Sequence, residues 1–147
     1  MTAAAQPLGI VIRCAVTDRA IVAAEHEAAV DAASAGAVVT FAGVVRDHDE
    51  GRAVSRLEYT GHPGAEGVLA EVAADVAARH PGIRIAVSHR VGPLEIGDLA
   101  LVAAVSTPHR SEAFQACAAL VDEVKARLPI WKHQHFADGT DEWVGAP

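Results

Sequence analysis

The sequence is short of cysteine, aromatic residues, lysine and long apolar runs, and each shortage removes a class of function. Its 147 residues include two cysteines, Cys14 and Cys117, far apart and in no C-x-x-C arrangement. A zinc knuckle and a thioredoxin-type redox pair are therefore excluded. Both thiols are expected to be buried and apolar in a reducing, cytoplasmic compartment, and nothing in the sequence supports a catalytic thiol at Cys117. The longest apolar run, Leu99 to Val105, falls far below the roughly 20 residues of a membrane span. Met1 to Pro7 has no basic stretch and no long apolar core, so no secretory signal is expected there. Basic residues number 12 against 19 acids, a net charge of -7. A general nucleic-acid surface has the opposite balance, so an anionic ligand would need a local basic pocket.

What is present is enough apolar residue, 51% of the chain, to build one core without disulfides or metal. The chain is read as a single domain over residues 1–147. Leu8 to Val16 reads as a strand. Thr17 or Asp18 offers an N-cap for an alanine-rich helix over Arg19 to Ala33, closed by Gly36. Ala37 to Val45 is a β-branched strand. The polar stretch Arg46 to Arg52 reads as a loop, and Ala53 to Tyr59 as a strand. Val68, Leu69, Val72 and Val76 repeat at helical spacing up to His80, where Pro81 and Gly82 stop the helix.

Ile83 to Val91 is again a strand, Gly92 to Gly97 a turn, and Asp98 to Ser106 a strand. After Pro108 a helix runs from about His109 to Leu128, with Phe114, Cys117, Val121, Val124 and Leu128 as its apolar stripe. Pro129 ends it, since the residue before a proline disfavours helix. Ile130 to Phe136 is a strand, Asp138-Gly139 a turn, and Glu142 to Val144 a last strand. The expected fold is α+β, with three helices and a mixed or antiparallel sheet.

Lysine usage carries the most information. Ten of the 12 basic residues are arginine, and the two lysines, Lys125 and Lys132, are neighbours in sequence. Clustering on a solvated face is one explanation. The other is that an ammonium is needed, because lysine can lose its proton when desolvated and arginine cannot. Lys125 lies at the edge of the apolar stripe, one turn after Val121, where desolvation would disfavour its charge. Lys132 shares a strand face with Ile130 and Gln134. The corner at Pro129 brings both towards one pocket.

Two weaker signals accompany the lysines. Pro108-His109-Arg110 opens a helix whose free N–H groups favour an anion; an exposed polar helix start is the plainer alternative. Arg46 follows a strand in which Gly43 can mark a close backbone approach. His133 and His135 form an H-x-H pair that zinc sites use, with His48, His62 or His89 as conceivable third ligands. No H-E-x-x-H and no Cys/His framework supports it, so no metal is expected.

Three segments carry a resemblance: FAGVVRDHDEGRAVSRLEY (Phe41 to Tyr59), HRVGPLEIGDLALVAAVSTPHRSEAFQA (His89 to Ala116) and VKARLPIWKHQHFADGTDEWV (Val124 to Val144). The chain resembles the catalytic (large) subunit family of molybdopterin synthase. The resemblance implies an α/β-hammerhead-type fold and a sulfurtransferase of molybdenum cofactor biosynthesis. Such an enzyme converts cyclic pyranopterin monophosphate (precursor Z) to molybdopterin by installing two dithiolene sulfurs. The sulfur comes from the thiocarboxylated Gly-Gly terminus of a small ubiquitin-like subunit, so the enzyme needs neither a cysteine of its own nor a cofactor. A homodimer within a heterotetramer is implied as well, and it agrees with helix geometry: His109 and Lys125 lie about 24 Å apart on one expected helix, so the site is expected to be shared between two copies of the chain.

By the same resemblance Lys125 and Lys132 are the catalytic pair. Arg46, His109 and Arg110 bind the substrate's anionic groups, and Phe41 lines the pocket. Gln134 stands where the family usually has glutamate, and restoring the acid is expected to be tolerated because the shape hardly changes. Gly61 to Gly67 is also less typical. Two other readings exist: a non-enzymatic oligomer that binds a pterin or nucleotide phosphate through Arg46, His109 and Arg110, and a histidine-based metal hydrolase.

Overall fold

The computed structural model describes residues 7–145; most of the segment read above for a secretory signal lies outside them. The elements run β1 (Ile10–Thr17), α1 (Ala23–Val30), β2 (Ala37–Val44), β3 (His48–Asp49), β4 (Arg52–Gly61), α2 (Ala65–Arg79), β5 (Arg84–Arg90), β6 (Gly92–Glu95), β7 (Leu99–Thr107), α3 (Arg110–Arg127), β8 (Ile130–Phe136) and β9 (Asp141–Val144). One sheet has the order β1-β5-β7-β2. In it β1 is parallel to β5, and the other pairs are antiparallel. A second, antiparallel sheet has the order β3-β4-β8-β9, with β6 also paired to β4. The expected α+β class with three helices is what forms. Among the described residues no helix is long and apolar enough to cross a membrane.

Helices α2 and α3 cover one face of the first sheet. Leu69, Val72 and Val76 meet Ile85, Val87 and Val105, with Leu120 and Val124 closing the layer. The short α1 covers the other face, where Val30 meets Ala86 and Ala104. His26 is fully buried there. Its Nδ1 lies 2.9 Å from the Val22 carbonyl oxygen and its Nε2 2.8 Å from Ser88 Oγ. A carbonyl only accepts, so Nδ1 carries the proton and Nε2 accepts from the serine. A third cluster, Val45, Leu57, Leu94 and Ala100 with Tyr59 against it, joins the two sheets.

Four local expectations change. Helix α1 starts at Ala23 rather than Arg19, because Thr17 ends β1 and its hydroxyl accepts the Arg19 N–H in a turn at 3.1 Å. Alanine propensity is a weak prior against such a local competitor. The polar stretch 46–52 is not wholly loop. His48 and Asp49 pair with Ala53 and Arg52, and Glu50 and Gly51 both take positive φ, 50° and 77°, as a two-residue hairpin turn requires. Residues 92–95, read as turn, pair with Arg56 to Tyr59. Phe114 is 61% exposed and lies outside the buried stripe. Ala113 and Ala116 take the contact instead: small residues let α3 approach the sheet, and a stripe drawn through large side chains passes them over.

Candidate active site

A cavity of about 600 Å³ opens where α3 ends against the second sheet. Helix and strand meet there at a tight corner. Leu128 N–H donates to the Val124 carbonyl at 2.9 Å, Pro129 prevents continuation, and Ile130 N–H donates to the Leu128 carbonyl at 2.8 Å. Lys125 and Lys132 consequently line the same cavity. Lys125 is an exposed residue at its rim, so this chain alone does not supply the burial foreseen for it.

Sheet register sets the wall. Tyr59 lies directly opposite Lys132, and Leu57 opposite Gln134, so all four share one face of the sheet. Phe41 and Arg46 enter from β2 and the segment after it, and His89 from β5. Of the seven residues proposed from sequence, Phe41, Arg46, Lys125, Lys132 and Gln134 meet here. His109 and Arg110 do not. They sit exposed at the opposite end of α3; Arg110 to Lys125 spans roughly 22 Å at about 1.5 Å per residue.

Sequence reasoning missed three participants. From sequence, His89 offers only a conceivable metal ligand. It is nearly buried, and its Nδ1 donates to the Arg90 carbonyl at 2.8 Å, so Nε2 keeps a lone pair. Burial pushes its pKa down, and the nearby Lys125 charge adds to this. Tyr59 packs edge-on against the imidazole at 4.9 Å, and burial pushes its phenol up. Asp49, third, comes from the short hairpin and does not line the cavity itself but contacts two residues that do, Gln134 and Arg46. Its Oδ2 accepts from Gln134 Nε2 at 2.8 Å and its Oδ1 from Arg46 Nη2 at 3.0 Å. The Gln134 hydrogen bond, with Lys132 and Arg46 nearby, holds the carboxyl below its usual range.

The thiols and the histidine pair take no part. Burial raises both cysteines, Cys14 to about 11, so neither is a thiolate near neutral pH. His133 and His135 alternate away from Lys132 and Gln134. His133 lies 2.6 Å from Asp141 and stacks on Trp143. Among the described residues no group of three or more His, Cys, Asp or Glu is arranged to hold a metal.

Fold and cavity together define an α+β domain with a cationic pocket and no activated thiol. A family model described as MoaE protein matches residues 16–127, and the chain belongs to that family. The molybdopterin synthase catalytic subunit of Nostoc sp. is 40% identical over 122 residues, 82% of this chain and 74% of the relative. Molybdopterin synthase catalytic subunit 1 of Mycobacterium tuberculosis is 40% identical over 133 residues, 90% of each. The crystal structure of molybdopterin synthase from Staphylococcus aureus superposes with a TM-score of 0.84 at 33% identity, covering 90% of this chain and 97% of that one.

Proposed function

We propose that the chain is the catalytic subunit of a molybdopterin synthase. It transfers sulfur from the thiocarboxylated terminus of a small ubiquitin-like partner to cyclic pyranopterin monophosphate. The observation that carries this is the convergence of the chain's two lysines on one cavity. Sulfur arriving as a thiocarboxylate needs cations and proton donors rather than a protein thiol. One ammonium pairs with the incoming thiocarboxylate. The other supplies a proton or stabilises charge at the pterin side chain as the pterin carbon bonds to the sulfur; water then cleaves the acyl–sulfur bond, the sulfur stays on the pterin and the partner leaves as its free carboxylate. Arg46 is the pocket's anion clamp, and Phe41 packs against the substrate.

His109 and Arg110 serve the same reaction from a second copy of the chain. One helix cannot bring its two ends to one small molecule, whereas a two-fold pairing sets the start of one α3 beside the end of its partner's. The proposed assembly is a homodimer with a small subunit on each half, in the cytoplasm, where thiocarboxylates and free thiols persist. The test is reconstitution: the purified chain, the thiocarboxylated Gly-Gly partner and the pterin phosphate are combined, and product is followed by mass spectrometry. A dithiolene pterin is the expected product. Substrate binding without any product would make the chain the non-enzymatic binder instead.

A further inference from the structure

We propose that Asp49, next to this pocket, acts as a positioning residue for it: anchored by the buried amide of Gln134, it holds the Arg46 guanidinium in place at the cavity. This rests on the functional reading above and adds a residue to it.

Gln134 is 2% exposed, so its amide needs protein partners. An ionised carboxylate only accepts, which turns the NH2 group of Gln134 towards Asp49. Each carboxylate oxygen then has one donor, Gln134 on β8 and Arg46 on the segment after β2. Asp49 thus ties the segment after β2 to a strand residue 85 positions further along the chain. The Arg46 side chain is otherwise 66% exposed, and among the described residues Asp49 is its one ion-pair partner. An unrestrained arginine would lose rotamer freedom on meeting an anion; tying it beforehand removes that cost. The hairpin turn at Glu50-Gly51 holds Asp49 opposite Arg52, so the carboxylate is presented by backbone geometry. With Arg46 tied to Asp49, Lys125 and Lys132 still line the pocket and, among the described residues, no acidic one does, so it stays attractive to a phosphate.

The arrangement changes what residue 134 can be. A glutamate there would set two carboxylates at hydrogen-bonding distance, so the tolerance foreseen from shape alone does not follow. Moving the charge rather than adding one is different. In Asp49→Asn/Gln134→Glu the amide and the carboxylate exchange places. The amide now at position 49 donates to the carboxylate now at position 134, and the carbonyl of that amide still accepts from Arg46.

The experiment measures steady-state sulfur transfer by the reconstituted enzyme for the two single variants and the double one. Each single variant is expected to lower kcat/KM by about tenfold, the worth of one charge-assisted hydrogen bond. The loss should fall mainly on KM for the pterin phosphate. The double variant is expected to return to within about threefold of native, since contacting residues are not additive. A native rate in Asp49→Asn, or a double variant no better than the worse single, overturns the proposal. If Gln134→Glu fails to fold, Asp49→Asn and the double variant still decide. A second readout needs no partner. In an NMR titration of the isolated chain, Gln134→Leu should raise the Asp49 carboxyl pKa, and an unchanged value overturns the contact. If the native chain forms no product, the functional reading fails and the titration still decides this one.

Discussion

Lys125 on α3 and Lys132 on β8 face a single cavity although a helix end, a proline corner and a strand start separate them. Seven positions along one helix would leave about 10 Å of rise between them. The corner folds the chain back instead, so both ammonium groups line one cavity. Two cations on one cavity are suited to gathering anions.

Removing either ammonium should therefore stop the chemistry and spare the fold. Lys125→Ala and Lys132→Ala are each expected to lower kcat by at least about a hundredfold, the usual worth of positioned acid–base catalysis. Unfolding midpoints should stay near native, since neither lysine is a core residue. Lys→Arg at either site should fail as well, because a guanidinium keeps charge but cannot exchange a proton at useful pH. Near-native turnover in the arginine variants would leave the lysines a purely electrostatic role.

His89 is expected to report on Lys125. Its pKa lies below the usual value of 6.5 through burial; the hydrogen bond to the Arg90 carbonyl opposes this, and the Lys125 charge adds to it. Lys125→Met should then raise it, as seen in the ring signals of an NMR titration. A value indifferent to Lys125 would show that the two do not share the cavity's field.

Acid should weaken the fold through His26. Burial lowers its pKa from 6.5, so the unfolded chain binds the proton more readily than the native one. The contribution to stability is whole above about 6.5 and is lost as pH falls through the folded value. Denaturant unfolding followed from pH 7.5 to 5 should show this loss, steeper in the native chain than in His26→Gln. At pH 7.5, His26→Ala should cost about 2–4 kcal/mol through a cavity and an unpartnered Ser88. Equal slopes in the two chains would assign the acid sensitivity elsewhere.

The hairpin that presents Asp49 depends on Gly51, whose φ is 77° with nothing near its missing side chain. Gly51→Ala should cost about 1–2 kcal/mol from left-handed strain alone. Activity should fall in step with any shift of Asp49. A variant as stable and active as native would mean that the turn tolerates a side chain.

Mixed dimers test whether two copies share each site. Chains carrying His109→Ala/Arg110→Ala are exchanged with chains carrying Lys125→Ala, both inactive alone. Random mixing should restore about a quarter of native activity, because half the dimers hold one intact site of two. No recovery after proven exchange would put every residue in one protomer's pocket.

Much of this molecule was legible in one dimension. Strand β8 runs over the residues that alternation and Pro129 marked, Ile130–Phe136, and α2 ends where Pro81 and Gly82 stop it. Both follow from local rules, namely side-chain period and the backbone limits of proline and glycine. The scarcity of lysine likewise pointed to Lys125 and Lys132 before any fold was known. The boundaries that slipped lie where a short local hydrogen bond overrode propensity, as at Thr17, or where a strand of two residues carries no pattern, as at His48 and Asp49.

The sequence by itself thus determined the order of the helices and of every strand except β3 and β6, the class of fold and the identity of the two ammonium groups. Only the tertiary structure decided that Asp49 meets Gln134 and that His89 keeps a free lone pair near Lys125; that His109 and Arg110 lie a helix length away from Lys125 followed already from the length of the expected helix. The reason is physical. Periodicity and breakers act over a few residues, whereas strand register and helix length set which side chains meet across 50 to 85 positions, and no local pattern encodes that register.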